Sequence, residues 1–403
     1  MADFYDVHTH FFNLSHPDFF SFVNRLNIAE YLFIMSIPLI GPIITTILYA
    51  SKKKNIINTL SFMDRDISDS LKIIEEKDIL PLFEKGFNIE STNYDRIIIT
   101  PLVLDFGQKY THIDNDIWYN TTPHKSVKYQ VIDLFQGIAE FYKEKIEKRI
   151  LIFPFLGINP KNYNLENEYD ENGNIKTIGI KSLLDKYFKN FAKEKRKELL
   201  IKKMGKFKDI ESLGSYAFCG IKLYPPLGFD PWPEDDKERE KVEYIYNYCQ
   251  KKSIPITTHI GLGGFQTIDN KTCEKLASPE RWTNVVKKFP ELKINLAHLK
   301  QKDLNFMKGI LKLIVEQKNI YTDLAYSGFN KKEYEEIDKK IKKFSTSDSY
   351  KIYERILYGS DFSISLLKSP SYSSQLKIFA NSKAFLNKKY LLVNQNPEKF
   401  LFD

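Results

Sequence analysis

The chain of 403 residues has few cysteines and no closely spaced pair of them. Its three cysteines, Cys219, Cys249 and Cys273, form no CxxC motif and are odd in number. This usage argues against a disulfide framework and a cysteine zinc site, and it favours a reducing compartment. The opening MADFYDVHTH also lacks the basic start and the apolar run of a signal peptide. We therefore expect a cytoplasmic protein.

A compact block of lysine or arginine is also missing, although the formal net charge is +8. Positive charge spread along a chain is typical of a solvated surface, so nucleic-acid binding is not expected. Hydrophobic residues make up 42% of the chain, which indicates a packed globular protein and not a disordered one.

What the chain does have is a series of short runs rich in β-branched or aromatic residues, bounded by turn signals. Charged segments with helical periodicity lie between them. This alternation predicts parallel βα units, and eight units predict an α/β fold of the (β/α)8 TIM-barrel type. A doubly wound open sheet is the alternative. The predicted strands are 4–8, 96–104, 149–155, 217–224, 254–259, 292–298, 319–324 and 355–361.

Such a barrel needs about 250 residues, so roughly 150 residues are additional. Most of them fall in two long insertions, after strands one and three. The first, 11–95, includes a predicted helix at 68–86, and the second, 157–216, includes a lysine-rich helix at 180–204. No linker separates a second domain, so we expect a single barrel over 1–403.

The first insertion contains one long run without charge, 31–50, with the sequence YLFIMSIPLIGPIITTILYA. As one helix it would reach about 30 Å, the thickness of a bilayer core. Pro38, Gly41 and Pro42 would break that helix near its middle. We expect a lid over the barrel or a contact between subunits, because a large apolar surface needs covering. Contact with a membrane surface is the less favoured alternative.

Side chains that bind metals stand at the ends of five predicted strands. Residues i and i+2 of a strand point the same way, so His8 and His10 can face one site. In a closed barrel of parallel strands, all carboxyl ends meet at one mouth. Imidazole and carboxylate ligands suit zinc, iron, nickel or manganese. The predicted ligands of one or two divalent ions are His8, His10, Lys222, His259, His298 and Asp361.

Lys222 is the unusual member of this set, because an ordinary ammonium group repels a cation. Burial lowers the pKa of a lysine, and the neutral amine can react with carbon dioxide to form a carbamate. This anionic group can bridge two cations, which stand about 3.5–4 Å apart in two-metal sites. A substrate-binding ammonium and a structural salt bridge are the alternatives for Lys222.

The ordered set of motifs resembles the amidohydrolase superfamily, and within it the amidohydrolase-related (amidohydrolase 2) branch of metal-dependent TIM-barrel hydrolases. The motifs are HTH on strand one, GIKLYPP on strand four, a histidine on strands five and six, GSD on strand eight, SPERW and NPEKFL. The resemblance implies that His8, His10 and Asp361 hold one metal. It also implies that a carboxylated Lys222 is a bridge and that His259 and His298 hold a second metal. In single-metal members the histidine of strand five joins the first site, and that of strand six is the acid/base.

The resemblance further implies a hydrolase that uses a metal-activated water on an amide, lactam, lactone or ester of a small molecule, with zinc as the favoured metal. Asp361 would accept a proton from that water and pass it to the leaving group. Tyr224 and Arg281 are candidates for substrate contact, and Asp323 either orients a histidine or caps a loop. A decarboxylase or lyase is the first alternative, and a membrane-surface or assembly-associated metallo-barrel is the second. A nuclease or phosphoesterase ranks low, and a homo-oligomer is left open.

Overall fold

The computed structural model describes residues 2–13, 16, 54–106, 127–144, 147–299, 302–344 and 348–403. The apolar run at 31–50 lies outside these residues, so its predicted role as a lid, an interface or a membrane contact stays a prediction. Within the described ranges, no helix is long and apolar enough to cross a membrane.

The strands of the described residues are short, and most of them are completely buried. In chain order they are β1 (Ala2–Thr9), β2 (Asn88–Ile89), β3 (Thr92–Pro101), β4 (Ile150–Ile152), β5 (Phe155–Gly157), β6 (Glu168–Tyr169), β7 (Ile175–Thr177), β8 (Gly220–Leu223), β9 (Ile256–His259), β10 (Ile294–Ala297), β11 (Ile320–Asp323) and β12 (Ile356–Leu357).

Helices follow nearly every barrel strand and form the outer layer. In chain order they are α1 (Lys54–Met63), α2 (Ile67–Ile73), α3 (Leu80–Glu84), α4 (Val127–Lys143), α5 (Ile180–Phe188), α6 (Arg196–Lys203), α7 (Asp236–Lys252), α8 (Asn270–Leu276), α9 (Thr283–Lys288), α10 (Leu304–Glu316), α11 (Lys331–Phe344), α12 (Ser349–Tyr353), α13 (Tyr372–Ala380) and α14 (Asn396–Phe402).

The parallel strands close into a ring. In one sheet β1 pairs with β3 and β3 with β4, and in the other the order is β5, β8, β9, β10, β11 and β12. Two parallel bridges, Leu102–Phe155 and Thr9–Phe362, join these sheets at both edges. Since β4 and β5 together form one position in the ring, the eight predicted strands are all present and the α/β prediction is confirmed.

Two predicted elements differ from the structure. The third strand divides into β4 and β5 around Phe153 and Pro154, because proline has no N–H to donate to the sheet. The helix predicted at 180–204 is two helices, α5 and α6, with Phe188 and Phe191 buried at the break. Burial of these rings in the core outweighs the continuous helical pattern of the sequence.

Two layers of core follow from the alternation of side chains along the strands. Phe4, Ile97 and Ile99 belong to the large cluster between the strands and the helices. Tyr5, Ile98 and other residues of opposite parity form a second, smaller cluster. A third cluster, which includes Phe12, Leu104 and Tyr224, lies just after strand ends, so the carboxyl end of the ring carries apolar side chains beside its polar ones.

Candidate metal centre

The six predicted ligands all lie at the carboxyl end of the ring, and all six are buried. The imidazole centroids of His8 and His10 are 5.2 Å apart, and those of His8 and His298 are 4.8 Å apart. His259 and His298 are separated by 4.6 Å. Four histidines that are far apart in the sequence therefore form one continuous cluster.

Three of the ligands converge on a single point. Nε2 of His8 and Nε2 of His10 lie 3.6 and 3.3 Å from the same oxygen of Asp361, Oδ1. All the ligand atoms of this group lie within 4.8 Å of one another. A tetrahedral ion with bonds of about 2.1 Å separates its ligand atoms by roughly 3.4 Å, so the observed spacing fits a divalent cation.

Hydrogen bonds on the far side of each ring hold the Nε2 atoms in place. Nδ1 of His8 lies 2.9 Å from Asp323 Oδ2, and Nδ1 of His10 lies 3.1 Å from the carbonyl oxygen of Leu102. A carbonyl can only accept, so Nδ1 of His10 carries the proton and its Nε2 carries the lone pair. Among the described residues, His8 Nε2 has no hydrogen-bond partner although it is buried. Such a polar atom without a partner is costly, and a bound cation would satisfy it.

Asp323 supports two ligands at once. Its Oδ2 also accepts from Asn295 Nδ2 at 2.7 Å, and its Oδ1 accepts from the backbone N–H groups of His298 and Ala325 at 2.8 and 3.1 Å. Burial acts to raise the pKa of Asp323, but His8 and His298 hold it far below its ordinary value. The geometry of Asp323 is thus compatible with both predicted roles, because the carboxylate contacts His8 and also accepts hydrogen bonds from the loop after β11.

Electrostatics keep the ligands in the forms that bind a cation. Burial lowers the pKa of His10, which favours the neutral imidazole. Burial acts to raise the pKa of Asp361, but the neighbouring His10 and His8 hold it well below its ordinary value. The centre therefore offers an ionised carboxylate at neutral pH, and His10 presents a neutral imidazole beside it.

The backbone is strained where the chain leaves two strands at this centre. His298 and Asp361 have φ of +64° and +59°, in the left-handed region that few residues other than glycine adopt. Just before Asp361, a Cβ at Gly359 would lie 2.8 Å from Cβ of His8. The GSD motif therefore brings the end of β12 close against β1, and strain of this kind is common at functional sites.

Lys222 lies in β8 with its ammonium group buried. Among the described residues, its Nζ has no hydrogen-bond partner. Burial lowers the pKa of Lys222 to about 8, against the opposing attraction of Asp323 and Asp361. Within the described ranges no carboxylate oxygen lies within 4.0 Å of this Nζ, and the carbamate, the substrate-binding ammonium and the salt bridge all stay predictions.

His259 and His298 bind each other. Nδ1 of His298 lies 3.1 Å from the carbonyl oxygen of Ala325 and therefore carries a proton. Its Nε2 lies 3.0 Å from Nδ1 of His259 and accepts a hydrogen bond when His298 is neutral. The two rings are adjacent to the three-ligand group without being part of it.

A cavity of about 470 Å³ opens from this centre to the surface. Tyr224, predicted to contact substrate, lines it, and its ring lies 4.9 Å from that of His259. Tyr224 Oη accepts from the N–H of Phe265 at 3.0 Å. A Cβ at Gly264 would lie 1.7 Å from the same oxygen, so only glycine fits there. The loop after β9 thus closes over Tyr224.

The structure does not bring Arg281 into this cavity. Its guanidinium forms two hydrogen bonds with Asp230, Nε to Oδ1 at 2.7 Å and Nη2 to Oδ2 at 2.6 Å. Arg281 lies in the turn Pro279–Trp282, and among the described residues it is not part of the cavity lining. A partner of opposite charge, 51 positions away in the sequence, holds it instead.

Sequence reasoning missed two residues of the site, Tyr326 and Asn295. Tyr326 follows β11 with φ of +54° and lies in the lining, where burial and the charge of Asp361 raise its pKa to about 12. Asn295, inside β10, reaches Asp323. The position of Tyr326 just after a strand end was a usable signal, whereas nothing in the sequence distinguishes Asn295 from an outward-facing polar residue.

Comparison with known proteins gives one family match. The family model described as Amidohydrolase matches residues 207–401. No curated protein matches the chain.

Solved structures with this general arrangement are distant in sequence. They include 4-oxalomesaconate hydratase from Rhodopseudomonas palustris, with 14% identity, coverage of 99% of this chain and 95% of that one, and a TM-score of 0.45. Amidohydrolase 2 from Bifidobacterium longum subsp. infantis is 11% identical, with full coverage of both chains and a TM-score of 0.43. Residues 207–401 thus match the amidohydrolase family model that the sequence motifs predicted, and this range includes Lys222, His259, His298 and Asp361.

Proposed function

We propose that this chain is a metal-dependent hydrolase acting on an amide, lactam, lactone or ester bond of a small molecule. The observation that supports it most is the convergence of His8, His10 and Asp361 on one point beside a cavity of about 470 Å³. A divalent cation, when bound, polarises a carbonyl group and lowers the pKa of water toward about 7. A cavity of this size suits a small molecule.

Asp361 is the proton acceptor in this proposal. Its carboxylate is ionised, because the neighbouring His10 and His8 keep its pKa low despite burial. It lies in the cavity lining, where a substrate and a water molecule can reach it. After accepting a proton, the carboxyl group can donate it to the leaving group, as general acid–base catalysis requires.

Lys222 has two candidate roles. With the pKa lowered to about 8 by burial, about a tenth of its amine is neutral at pH 7, and this fraction can form a carbamate. That anion would bridge a second cation toward His259 and His298. An unmodified Lys222 would instead bind an anionic substrate group, and mass spectrometry of the native protein separates the two because a carbamate adds 44 Da.

A single-metal decarboxylase or lyase is the second candidate. One observation favours it: His259 and His298 are hydrogen-bonded to each other at 3.0 Å, and the three-ligand group includes neither ring. In that arrangement His298 is the acid/base, held in orientation by the Ala325 carbonyl. One ion per chain, with an unmodified Lys222, would favour this reading.

The proposal is tested by metal content and by turnover. Protein purified without chelator should contain at least one divalent ion per chain by plasma mass spectrometry, with zinc expected first. Removal of the ion should abolish hydrolysis of a panel of amides, lactams, lactones and esters, and zinc should restore it. Less than one ion per chain, or hydrolysis that survives chelation, would contradict the proposal, and release of carbon dioxide from carboxylic acids without hydrolysis would favour the alternative.

A further inference from the structure

Two lysines lie in the lining of the cavity, on the side of the loops after β10 and β12. Lys302 lies two positions before the first residue of α10, and Lys368 follows the turn Ile364–Leu367. Neither belongs to the predicted metal ligands. Both come from segments that follow barrel strands, which is where residues that select a substrate are found in this fold.

Aromatic rings fix the position of one of these ammonium groups. Nζ of Lys368 lies 4.6 Å from the ring centroid of Tyr326 and 5.2 Å from that of Phe329. Cation–π contacts of this kind hold an ammonium without neutralising it. Since both rings also line the cavity, the Lys368 ammonium lies beside the cavity, although the residue as a whole is exposed.

The two lysines lie close enough to influence each other. Burial lowers the pKa of Lys368, and the positive charge of Lys302 lowers it further. Among the described residues, neither lysine is within 4.0 Å of a carboxylate oxygen. Two like charges held near each other are unfavourable unless an anion lies between them.

Glu333 is the one acidic residue among the described lining residues apart from Asp361. Its Oε2 accepts a hydrogen bond from the N–H of Phe329 at 2.9 Å and so closes the turn before α11. It raises the pKa of Lys368 only as a lesser effect. With Asp361 committed to the histidines, the mouth of the cavity keeps an excess of positive charge.

We propose that Lys302 and Lys368 bind an anionic oxygen group of the substrate, a carboxylate or a phosphate, at the mouth of the cavity while the reacting bond lies at the metal centre. The inference rests on the proposed function, since it places the anion relative to that centre. It restricts the substrate class to small organic acids or phosphorylated compounds. The lysines select the substrate by charge, and the aromatic rings beside them leave room for an apolar body.

Three compounds with one phenyl ring test the charge requirement: benzoate, the uncharged benzamide of the same shape, and phenyl phosphate. Calorimetry is run on zinc-loaded and on metal-free protein, with wild type, Lys302→Met, Lys368→Met and Lys368→Arg. Lys312→Met is the matched control, because Lys312 is 70% exposed on α10 and only 3.9 Å from Glu316. We expect each Met variant to weaken anion binding about tenfold or more, while Lys368→Arg and Lys312→Met retain it.

Benzamide should bind weakly and equally to all variants. The stronger of the two anions identifies whether the substrate group is a carboxylate or a phosphate. Three results would overturn the inference. Wild type could bind benzamide as well as the anions, or it could bind neither anion. Anion binding could also require zinc and be unchanged in both Met variants. Lysine-dependent anion binding in a protein that takes up no metal would leave the anion site standing and refute the proposed hydrolase.

Discussion

The two ends of the barrel bury polar side chains in different ways. At the amino end Arg196 is 1% exposed, and its guanidinium donates to the carbonyl oxygens of Ala192, Lys252, Ser253 and Leu401 at 2.7–3.3 Å. At the carboxyl end, in the described part of the chain, His8 Nε2 and Lys222 Nζ are equally buried and have no hydrogen-bond partner. Arg196 is satisfied within the protein, while His8 and Lys222 keep atoms for a ligand.

Lys293 completes the pattern at the amino end. Its Nζ donates to the carbonyl oxygens of Lys399, Phe400 and Asp403 at 2.9, 3.3 and 2.6 Å. Cations at the carboxyl end of a helix bind its unpaired carbonyls and stabilise its dipole, so Lys293 and Arg196 attach α14 beneath the ring. The difference teaches that burial alone does not identify a functional group: the buried cations of the amino end have their donors filled, whereas His8 and Lys222 have unfilled atoms and lie at the strand ends beside the cavity.

The largest effect is expected for Asp361→Asn at the carboxyl end. The amide keeps the shape of the side chain but lacks the charge that a cation requires, so metal affinity should fall about 1,000-fold, or ~4 kcal/mol. The unfolding free energy of metal-free protein should change much less, since the His8 and His10 contacts of Asp361 are long at 3.6 and 3.3 Å. Competition with a chelating dye measures the first quantity and urea unfolding the second.

Asp338→Asn is the matched control for that substitution. Asp338 is also buried, but it accepts from Phe385 N at 3.3 Å and from Tyr353 Oη, away from the cavity. Its substitution should leave metal affinity unchanged. Equal metal affinity in wild type and Asp361→Asn would contradict the assignment of the metal site to the carboxyl end.

At the amino end, Arg196→Met should cost stability and leave metal binding intact. The substitution removes four hydrogen bonds to carbonyl groups and leaves several of these acceptors buried, so we expect a loss of about 3 kcal/mol in unfolding free energy. Arg149→Met, at a side chain that is 37% exposed, should change it by less than about 0.5 kcal/mol. A tenfold loss of metal affinity in Arg196→Met would show that the ends are coupled.

The ring of strands was predictable because each strand carries a local signal. A short apolar run of β-branched residues before a polar strand end can be recognised without knowing which strands pair with it. The order of the strands then follows from the parallel βα pattern. The strand ends also place His8, His10, His259, His298 and Asp361 at one mouth. This part of the site therefore follows from topology alone.

Partnerships between distant side chains were not predictable. Nothing in the sequence around Arg281 indicates its ion pair with Asp230. The pair forms only when the loop after β8 packs against the turn before α9. Lys368 reaches the cavity for the same reason, through rings that belong to the loop after β11. Such contacts depend on loop conformation, for which periodicity has no information.

A smaller effect on metal affinity is expected for Asp323→Asn. One side-chain oxygen replaces two, so the variant loses part of the set of acceptor bonds to His8, Asn295 and two backbone N–H groups. Loss of a hydrogen-bonded partner behind a ligand histidine lowers metal affinity about 10–100-fold. Thr322 precedes Asp323 on β11, and its hydroxyl donates to the Leu296 carbonyl at 2.7 Å. Thr322→Val removes this bond and should not change metal affinity. Equal effects of both substitutions would mean that general packing, and not the orientation of His8, determines affinity.

The smallest expected effect concerns pH and the amino end. Burial, with repulsion from Arg196, lowers the pKa of Lys293 from 10.5 to about 8. Between these pH values the unfolded chain binds more protons at this residue than the folded chain does, so the stability of wild type should rise with pH in this window relative to Lys293→Met. We expect a gain of about 1–2 kcal/mol in the difference between their unfolding free energies from pH 7.5 to pH 9.5, measured with urea on metal-free protein. A difference that stays constant would mean that the three carbonyl groups fully offset the cost of burying the charge of Lys293.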